Sequence, residues 1–192
     1  MKDLSKLSPG ELGKLFPIML ETYNPEWPAV FQKEKEYILK LLAPDLCGEI
    51  AHFGSTAVPG IIAKPTIDIL VEIPSDEESR KQIIEKMQQA GYHHIPRNDS
   101  PPPYPMFVKG YTPHGFEGQV FHLHCAPKSH SGLWNRLYFR DFLIRNPNTA
   151  REYETLKIRL AKEFQFDRDG YTVAKTVFVE RITQLAVSEK QV

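Results

Sequence analysis

The sequence predicts an α+β domain: a small mixed β-sheet with helices gathered at both ends of the chain. Three observations lead there. Residues 66–73, TIDILVEI, are rich in β-branched residues and mostly apolar, as a strand covered on both faces along much of its length would be. Residues 119–126, QVFHLHCA, set apolar Phe121, Leu123 and Cys125 against His122 and His124, the two-residue period of a strand. From about residue 132 onward the chain reads as helical, which segregates helices from strands in the α+β manner.

Taken in order, Ser8 can cap a short first helix and Pro9 suits its first position, with Leu12, Leu15, Phe16 and Met19 at helical spacing and Pro17 as a break. Residues 1–20 form an N-terminal helical extension to a domain over 21–188, of which 130–188 is the helical part. Asn24-Pro25 opens a second helix, with Trp27, Phe31, Ile38, Leu41 and Leu42 as its apolar stripe and Pro44 beyond its end. Residues 49–53 are a short strand entering the loop Gly54-Ser55-Thr56-Ala57-Val58-Pro59-Gly60, whose Gly and Pro residues forbid regular structure. After the strand at 66–73, Ser75 and Glu78 make a capping-box pattern for a helix over 76–90 that Gly91 ends. Residues 97–103, RNDSPPP, read as a flexible loop. Residues 104–111 and 119–126 form an antiparallel pair across a turn around Pro113, Gly115 and Gly118. Helices follow at 132–145, 147–164 and 170–188, with Asn146-Pro147 as a stop and restart.

Composition narrows the function. The 24 Lys+Arg balance 24 Asp+Glu over 192 residues, so a protein whose main work is gripping nucleic acid is not expected, although a local basic pocket for a nucleotide stays open. At 41% hydrophobic the chain can bury a real core. No run approaches the roughly 18 apolar residues of a membrane span, and the charged start is unlike a secretory signal. Cys47 and Cys125 are isolated thiols rather than a disulfide framework, which suits a reducing cytoplasm.

Two groups of residues could carry chemistry. A strand that ends in Gly54-Ser55 and turns sharply exposes backbone N–H groups and the hydroxyls of Ser55 and Thr56, which can cradle an anion; the same residues also suit a tight connection. Asp68 lies inside an otherwise apolar strand, where a carboxylate costs several kcal/mol unless it is paired, hydrogen-bonded or metal-bound; Lys64 is a candidate structural partner. His122 and His124 share a strand face with Cα atoms roughly 6.6 Å apart, close enough to converge on one cation, although two histidines at this spacing also arise by chance. If His52 joins Asp68, His122 and His124, the mixed N/O set suits zinc, manganese or iron better than calcium. Lys64, Lys109 and Arg140 are candidates to neutralise phosphates, although each taken alone reads first as a solvated surface charge.

With these residues in view, the sequence resembles the GrpB family. The residues that carry the resemblance are Tyr23-Asn24-Pro25-Glu26-Trp27, His52-Phe53-Gly54-Ser55-Thr56-Ala57-Val58-Pro59-Gly60, Lys64-Pro65 and Ile67-Asp68. Phe107, Lys109-Gly110, His122-Leu123-His124, Phe139-Arg140-Asp141, Tyr153, Tyr171 and Lys175 extend it. The resemblance implies a sheet of the nucleotidyltransferase type, that of DNA polymerase β and kanamycin nucleotidyltransferase, and a domain also found fused behind dephospho-CoA kinase. It implies that Gly54-Ser55 hold a triphosphate and that Asp68 is the first metal-binding carboxylate. The second carboxylate of that pattern falls at Leu70, and the third-carboxylate strand carries His122 and His124 instead. An Asp with two histidines could hold one transition metal, not two bridged Mg²⁺ ions.

The expectation is therefore a nucleotidyltransferase-like enzyme acting on a nucleotide or small phosphorylated molecule, with Asp68, His122 and His124 as catalytic residues. One divalent ion (Zn, Mn or Mg) would be held by Asp68, His122, His124 and His52. Gly54, Ser55, Thr56, Lys64, Lys109 and Arg140 would contact phosphate. The alternative is a non-catalytic binding or folding-assistance module with a protein partner.

Overall fold

A computed structural model describes residues 7–98 and 102–190. Residues 1–6 of the expected N-terminal extension and residues 99–101 of the expected 97–103 loop lie outside the described residues. The fold is α+β, built on a mixed sheet of β1 (Ile50–Phe53), β2 (Thr66–Glu72), β3 (His93–Arg97), β4 (Tyr104–Thr112) and β5 (Gly115–Ala126) in the order β1-β2-β5-β4-β3. β2 and β5 run parallel at the centre, and the other neighbours are antiparallel.

The register divides the side chains between two faces. Ile67, Ile69, Val71, Phe121, Leu123 and Cys125 pack with Ile38 and Leu42 of α2 (Trp27–Leu46) and Ile83 and Met87 of α3 (Glu77–Gln89), forming the principal core. The opposite face carries Phe53, Leu70, Tyr104, Met106 and Val108, with Leu133 and Trp134 of the short helix α4 (Ser131–Trp134), reckoned after α1 (Pro9–Leu15). Asp68, His122 and His124 lie on this second face, paired in register as Asp68↔His122 and Leu70↔His124. A second cluster of Val58, Phe139, Phe142, Tyr153 and Ile182 ties the loop after β1 to α5 (Arg136–Arg145), α6 (Pro147–Glu163) and α8 (Thr176–Ser188), with α7 (Arg168–Ala174) between.

Several boundaries differ from the sequence reading. α2 runs through Pro44 to Leu46, because a proline in the last turn removes only one ladder hydrogen bond. Asp76, not Ser75, caps α3, its side chain accepting from Ser79 N–H. β3 bears out a strand at His93-His94, whose side chains point to opposite faces, and adds it to the sheet's order. The 132–145 helix breaks at Asn135 and the 170–188 helix at Lys175, while the β4–β5 hairpin closes at Pro113-His114. Among the described residues no helix is long and apolar enough to cross a membrane.

α1 is held by a full capping box between Ser8 and Glu11 and by close packing of Gly13 against the Phe166 backbone. A methyl at Gly13 would occupy the position of the Phe166 carbonyl. Gly13→Ala is accordingly expected to push α1 away from the α6–α7 connection and cost about 1–3 kcal/mol, read as a lower midpoint in urea unfolding.

Candidate functional site

Asp68 sits mid-sheet, and the end of β1 is shaped around it. Gly54 adopts φ +75°, a region that favours glycine, and a Cβ there would collide with Asp68 Oδ2. The sharp turn Ser55–Ala57 that follows is a single 3₁₀ turn. Its two hydroxyls serve different ends: Ser55 hydrogen-bonds Tyr153 of α6, whereas Thr56 is buried and donates to the Thr66 carbonyl at 3.0 Å. The loop is clamped from α6, where Glu154 Oε1 accepts from Ile62 N–H at 2.7 Å and Lys157 Nζ donates to the Ile62 carbonyl.

The nearest partner of Asp68 is His122, with Nδ1 3.4 Å from Oδ1. His122 Nε2 lies 2.7 Å from the Tyr111 hydroxyl, which in turn accepts from Arg168 Nη2 at 2.8 Å. With its oxygen receiving from Arg168, Tyr111 gives its own proton to His122 Nε2, leaving Nδ1–H directed at Asp68. The result is a four-residue chain, Arg168–Tyr111–His122–Asp68. Burial raises the Asp68 carboxyl, but the hydrogen bond and charge of His122, with His124 and Lys64 beyond, outweigh it and hold the group at about 2. Asp68 is therefore ionised, while burial keeps His122 below the ordinary imidazole value despite the carboxylate.

His124 shares the face but not the partner. Its Nδ1 meets the Tyr104 hydroxyl at 3.1 Å, and burial followed by the Arg136 charge drives its pKa well down. His52 pairs with Ile69 in the ladder and so lies on the other face, stacked on Phe31 of α2 at 4.8 Å. Because Thr56 spends its proton on Thr66, His52 Nε2–H must donate to Thr56 Oγ1 at 3.0 Å. Asp68, His122, His124 and His52 therefore do not converge as a shared ligand set. Among the described residues no three His, Cys, Asp or Glu side chains are placed to hold a metal ion.

The expected phosphate contacts separate in the same way. Lys109 extends to the first face, where it meets Glu34 at 3.0 Å beneath the Tyr92 ring. Arg140 binds Asp141 and donates to the His52 carbonyl at 2.6 Å, fastening α5 to β1. Lys64 does reach the site, together with cations that sequence reasoning did not single out as site residues. Lys64 and Lys175 each lie about 5 Å from the Tyr171 ring, at 5.2 and 4.9 Å. Burial lowers both, and each is further lowered by Arg168 while Asp68 pulls the other way. Arg136, at the start of α5, acts on Lys175, His124 and Tyr153. The signal for Tyr111 was Gly110: at φ +89° it interrupts the strand alternation, so Tyr111 reaches His122 instead of following Lys109 to the first face.

Two outcomes follow. Gly54→Ala should cost about 1–3 kcal/mol through strain at positive φ and displacement of Asp68, seen in chemical denaturation. Burial, first, lowers His52 to about 4, so the unfolded chain takes up that proton before the folded one does. Its contribution to stability is present above about pH 6.5 and lost as pH falls toward 4, about 3 kcal/mol in all. His52→Gln should flatten the stability–pH curve across that window by a similar amount, measured by urea unfolding at several pH values.

A family model described as GrpB protein matches residues 17–185. The glutamate-rich protein GrpB of Alkalihalophilus pseudofirmus is 36% identical over 166 residues, covering 86% of this chain and 93% of that protein. A UPF0157 protein of Pseudomonas aeruginosa is 37% identical over 165 residues, 86% of this chain and 66% of the longer relative. Dephospho-CoA kinase of Mycolicibacterium paratuberculosis is 26% identical over 178 residues, and the chain spans 43% of it. The crystal structure of conserved protein GrpB from Enterococcus faecalis superposes with a TM-score of 0.77 at 26% identity, covering 91% of this chain and all of that one (100%). The motif from His52 to Gly60, the carboxylate at Asp68 and the sheet that joins them thus belong to a member of the GrpB family.

Proposed function

We propose that the residues around Asp68, on the second sheet face beside helices α5–α7, bind a nucleotide or other small phosphorylated molecule, and that the chain acts on it as a nucleotidyltransferase-like enzyme. The observation that carries this reading is one ionised carboxylate, Asp68, set beside a glycine turn and close to half-buried cations, Lys64, Arg168 and Lys175, that form no ion pair with a carboxylate among the described residues. Phosphate oxygens supply what such cations lack. The family resemblance points the same way, since it assigns the Gly54-Ser55 turn to phosphate and Asp68 to the reacting end.

In this reading Asp68 is the acceptor that aligns an attacking hydroxyl or water. His122 fixes the carboxylate orientation through Nδ1–H, itself held in that tautomer by Tyr111. Lys64, Arg168 and Lys175 stabilise negative charge developing on the phosphate that is attacked, the main contribution a protein makes to phosphoryl transfer. A divalent ion is the remaining element of the family expectation. The donors do not suit a multi-ligand centre, because both His122 nitrogens and His124 Nδ1 are engaged and Leu70 offers no oxygen.

The test is a panel of nucleoside di- and triphosphates scored for a rise in melting temperature and, by ³¹P NMR, for conversion. Binding with turnover is expected, and Asp68→Asn should lower turnover by about 100-fold or more while leaving binding within about tenfold. Binding without turnover in the wild type would instead support the non-catalytic module. No stabilisation by any phosphorylated compound would remove the reading.

A further inference from the structure

The cations around Asp68 are the least explained feature of the molecule. Lys64 lies in the loop before β2, Arg136 opens α5, Arg168 opens α7, and Lys175 joins α7 to α8. Each is half-buried, and among the described residues none of the four forms an ion pair with a carboxylate. Grouping like charges in a crevice costs free energy, because burial and mutual repulsion both act against them. Burial lowers both lysines first; Lys175 and Arg168 lower Lys64 further, and Arg136 and Arg168 lower Lys175 against the pull of Asp68.

Three of these side chains are also held in place, not left to swing into solvent. Arg168 is fixed by the Tyr111 hydroxyl at 2.8 Å and the Phe16 carbonyl at 3.2 Å. Lys64 and Lys175 share the Tyr171 ring, which is 1% exposed and so fixed within the core. Cationic side chains thus outnumber Asp68 by four to one, an excess of up to three charges once Lys64 and Lys175, whose pKa values burial lowers, take up protons beside an anion. A single phosphate monoester brings about two negative charges at neutral pH and would leave that excess only partly met. A chain of two or more linked phosphates would meet it fully.

Resting on the phosphate-ligand reading above, we propose that Lys64, Arg136, Arg168 and Lys175 replace divalent metal ions in this site and hold an oligophosphate chain, of a nucleotide or in inorganic form, without any metal. A magnesium site of the usual kind needs several oxygen donors around the ion. On β2, Asp68 shares this face with Glu72, which lies four residues on, roughly 13 Å away, and accepts from Glu49 N–H at 3.0 Å; Leu70 is fully buried between them, and both His122 nitrogens and His124 Nδ1 are engaged. The fixed cations do the neutralising instead, and their positive field opposes entry of a divalent ion.

The experiment is calorimetric titration of the full chain with tripolyphosphate and with ATP, each in excess EDTA and again with Mg²⁺ in place of the chelator. Binding in EDTA is expected, with Mg²⁺ giving no tightening. Lys175→Met and Arg136→Gln should each weaken it roughly tenfold or more. Lys81→Met, on an exposed part of α3, should leave it unchanged. Two substitutions, each checked by circular dichroism, guard against one variant failing to fold. Binding of ATP but not tripolyphosphate in EDTA, weakened by either variant, upholds the cations and identifies a nucleotide as the source of the phosphates. Binding only with Mg²⁺ would overturn the metal-free inference while leaving the phosphate-ligand reading intact. Binding in EDTA that neither variant weakens would also overturn it. No binding under either condition would overturn both.

Discussion

An ionised carboxylate in the middle of a sheet has to be surrounded before the rest of the chain can pack, and much of this molecule answers that demand at Asp68. The strand bearing it is apolar on both sides, so no adjacent residue can solvate it. Its register partner His122 supplies the first hydrogen bond. His122 can donate from Nδ1 only if its other nitrogen accepts, which brings in Tyr111, and Tyr111 can give its proton only because Arg168 supplies another to its oxygen. Arg168 in turn holds the Phe16 carbonyl, so the N-terminal segment is fastened to the same chain of hydrogen bonds. On the other side, Gly54 leaves room for Oδ2 that no other residue would leave.

The two faces of the sheet divide the work. Face one is almost wholly apolar, and the charges it buries are paired: Glu34 receives hydrogen bonds from Tyr92 and from Lys109. Face two keeps polar groups whose partners are incomplete. The C-terminal helices do more than cover it. α6 fixes both polar groups of Ile62 and hydrogen-bonds Ser55, so the turn after β1 is shaped by residues about 90 positions away, with sequence separations of 92 and 95 for the Ile62 contacts. A segment held by such contacts is rigid where a free glycine turn would not be, and a rigid turn can present its N–H groups to a ligand without first being ordered.

What could be read in the sequence was whatever depends on neighbours along the chain. Alternation set His122 and His124 on one side of a strand, and an acid inside TIDILVEI marked Asp68 as the centre. His52 was harder, because its face depends on the antiparallel register Phe53↔Asp68, which no local pattern contains. Lys109 and Arg140 were plausible as charges, but their partners, Glu34 and the His52 carbonyl, come from elements distant in sequence. Arg136 and Arg168 open helices and Lys175 joins two, and it is the docking of those helices that brings them to Asp68; Lys175 was marked by the family resemblance, but nothing in the pattern of its own segment, or of the other two, gives a role. Tyr111 was obscured by a different cause: parity counting fails across a bulge, and the residue that signals the failure is Gly110.

The replacement at position 70 acquires meaning from those helices. Removing a carboxylate from a site that depends on metal ions would ordinarily leave a weakened version of the same site, with too little negative charge to retain the ions. In the proposed site Leu70 is accompanied by the positive charge of Lys64, Arg136, Arg168 and Lys175, so the balance of charge is the reverse of a carboxylate cluster's. The two arrangements exclude one another. A cluster of carboxylates draws divalent ions and, through them, phosphates, whereas a cluster of cations draws phosphates directly and repels the ions. Leu70, fully buried in the cluster with Phe53, Tyr104 and Met106, adds a cost of its own: a carboxylate in its place would be stripped of water among apolar side chains. On the proposed reading Leu70 and the cations around Asp68 form one feature, a phosphate site whose charge is carried by the polypeptide itself.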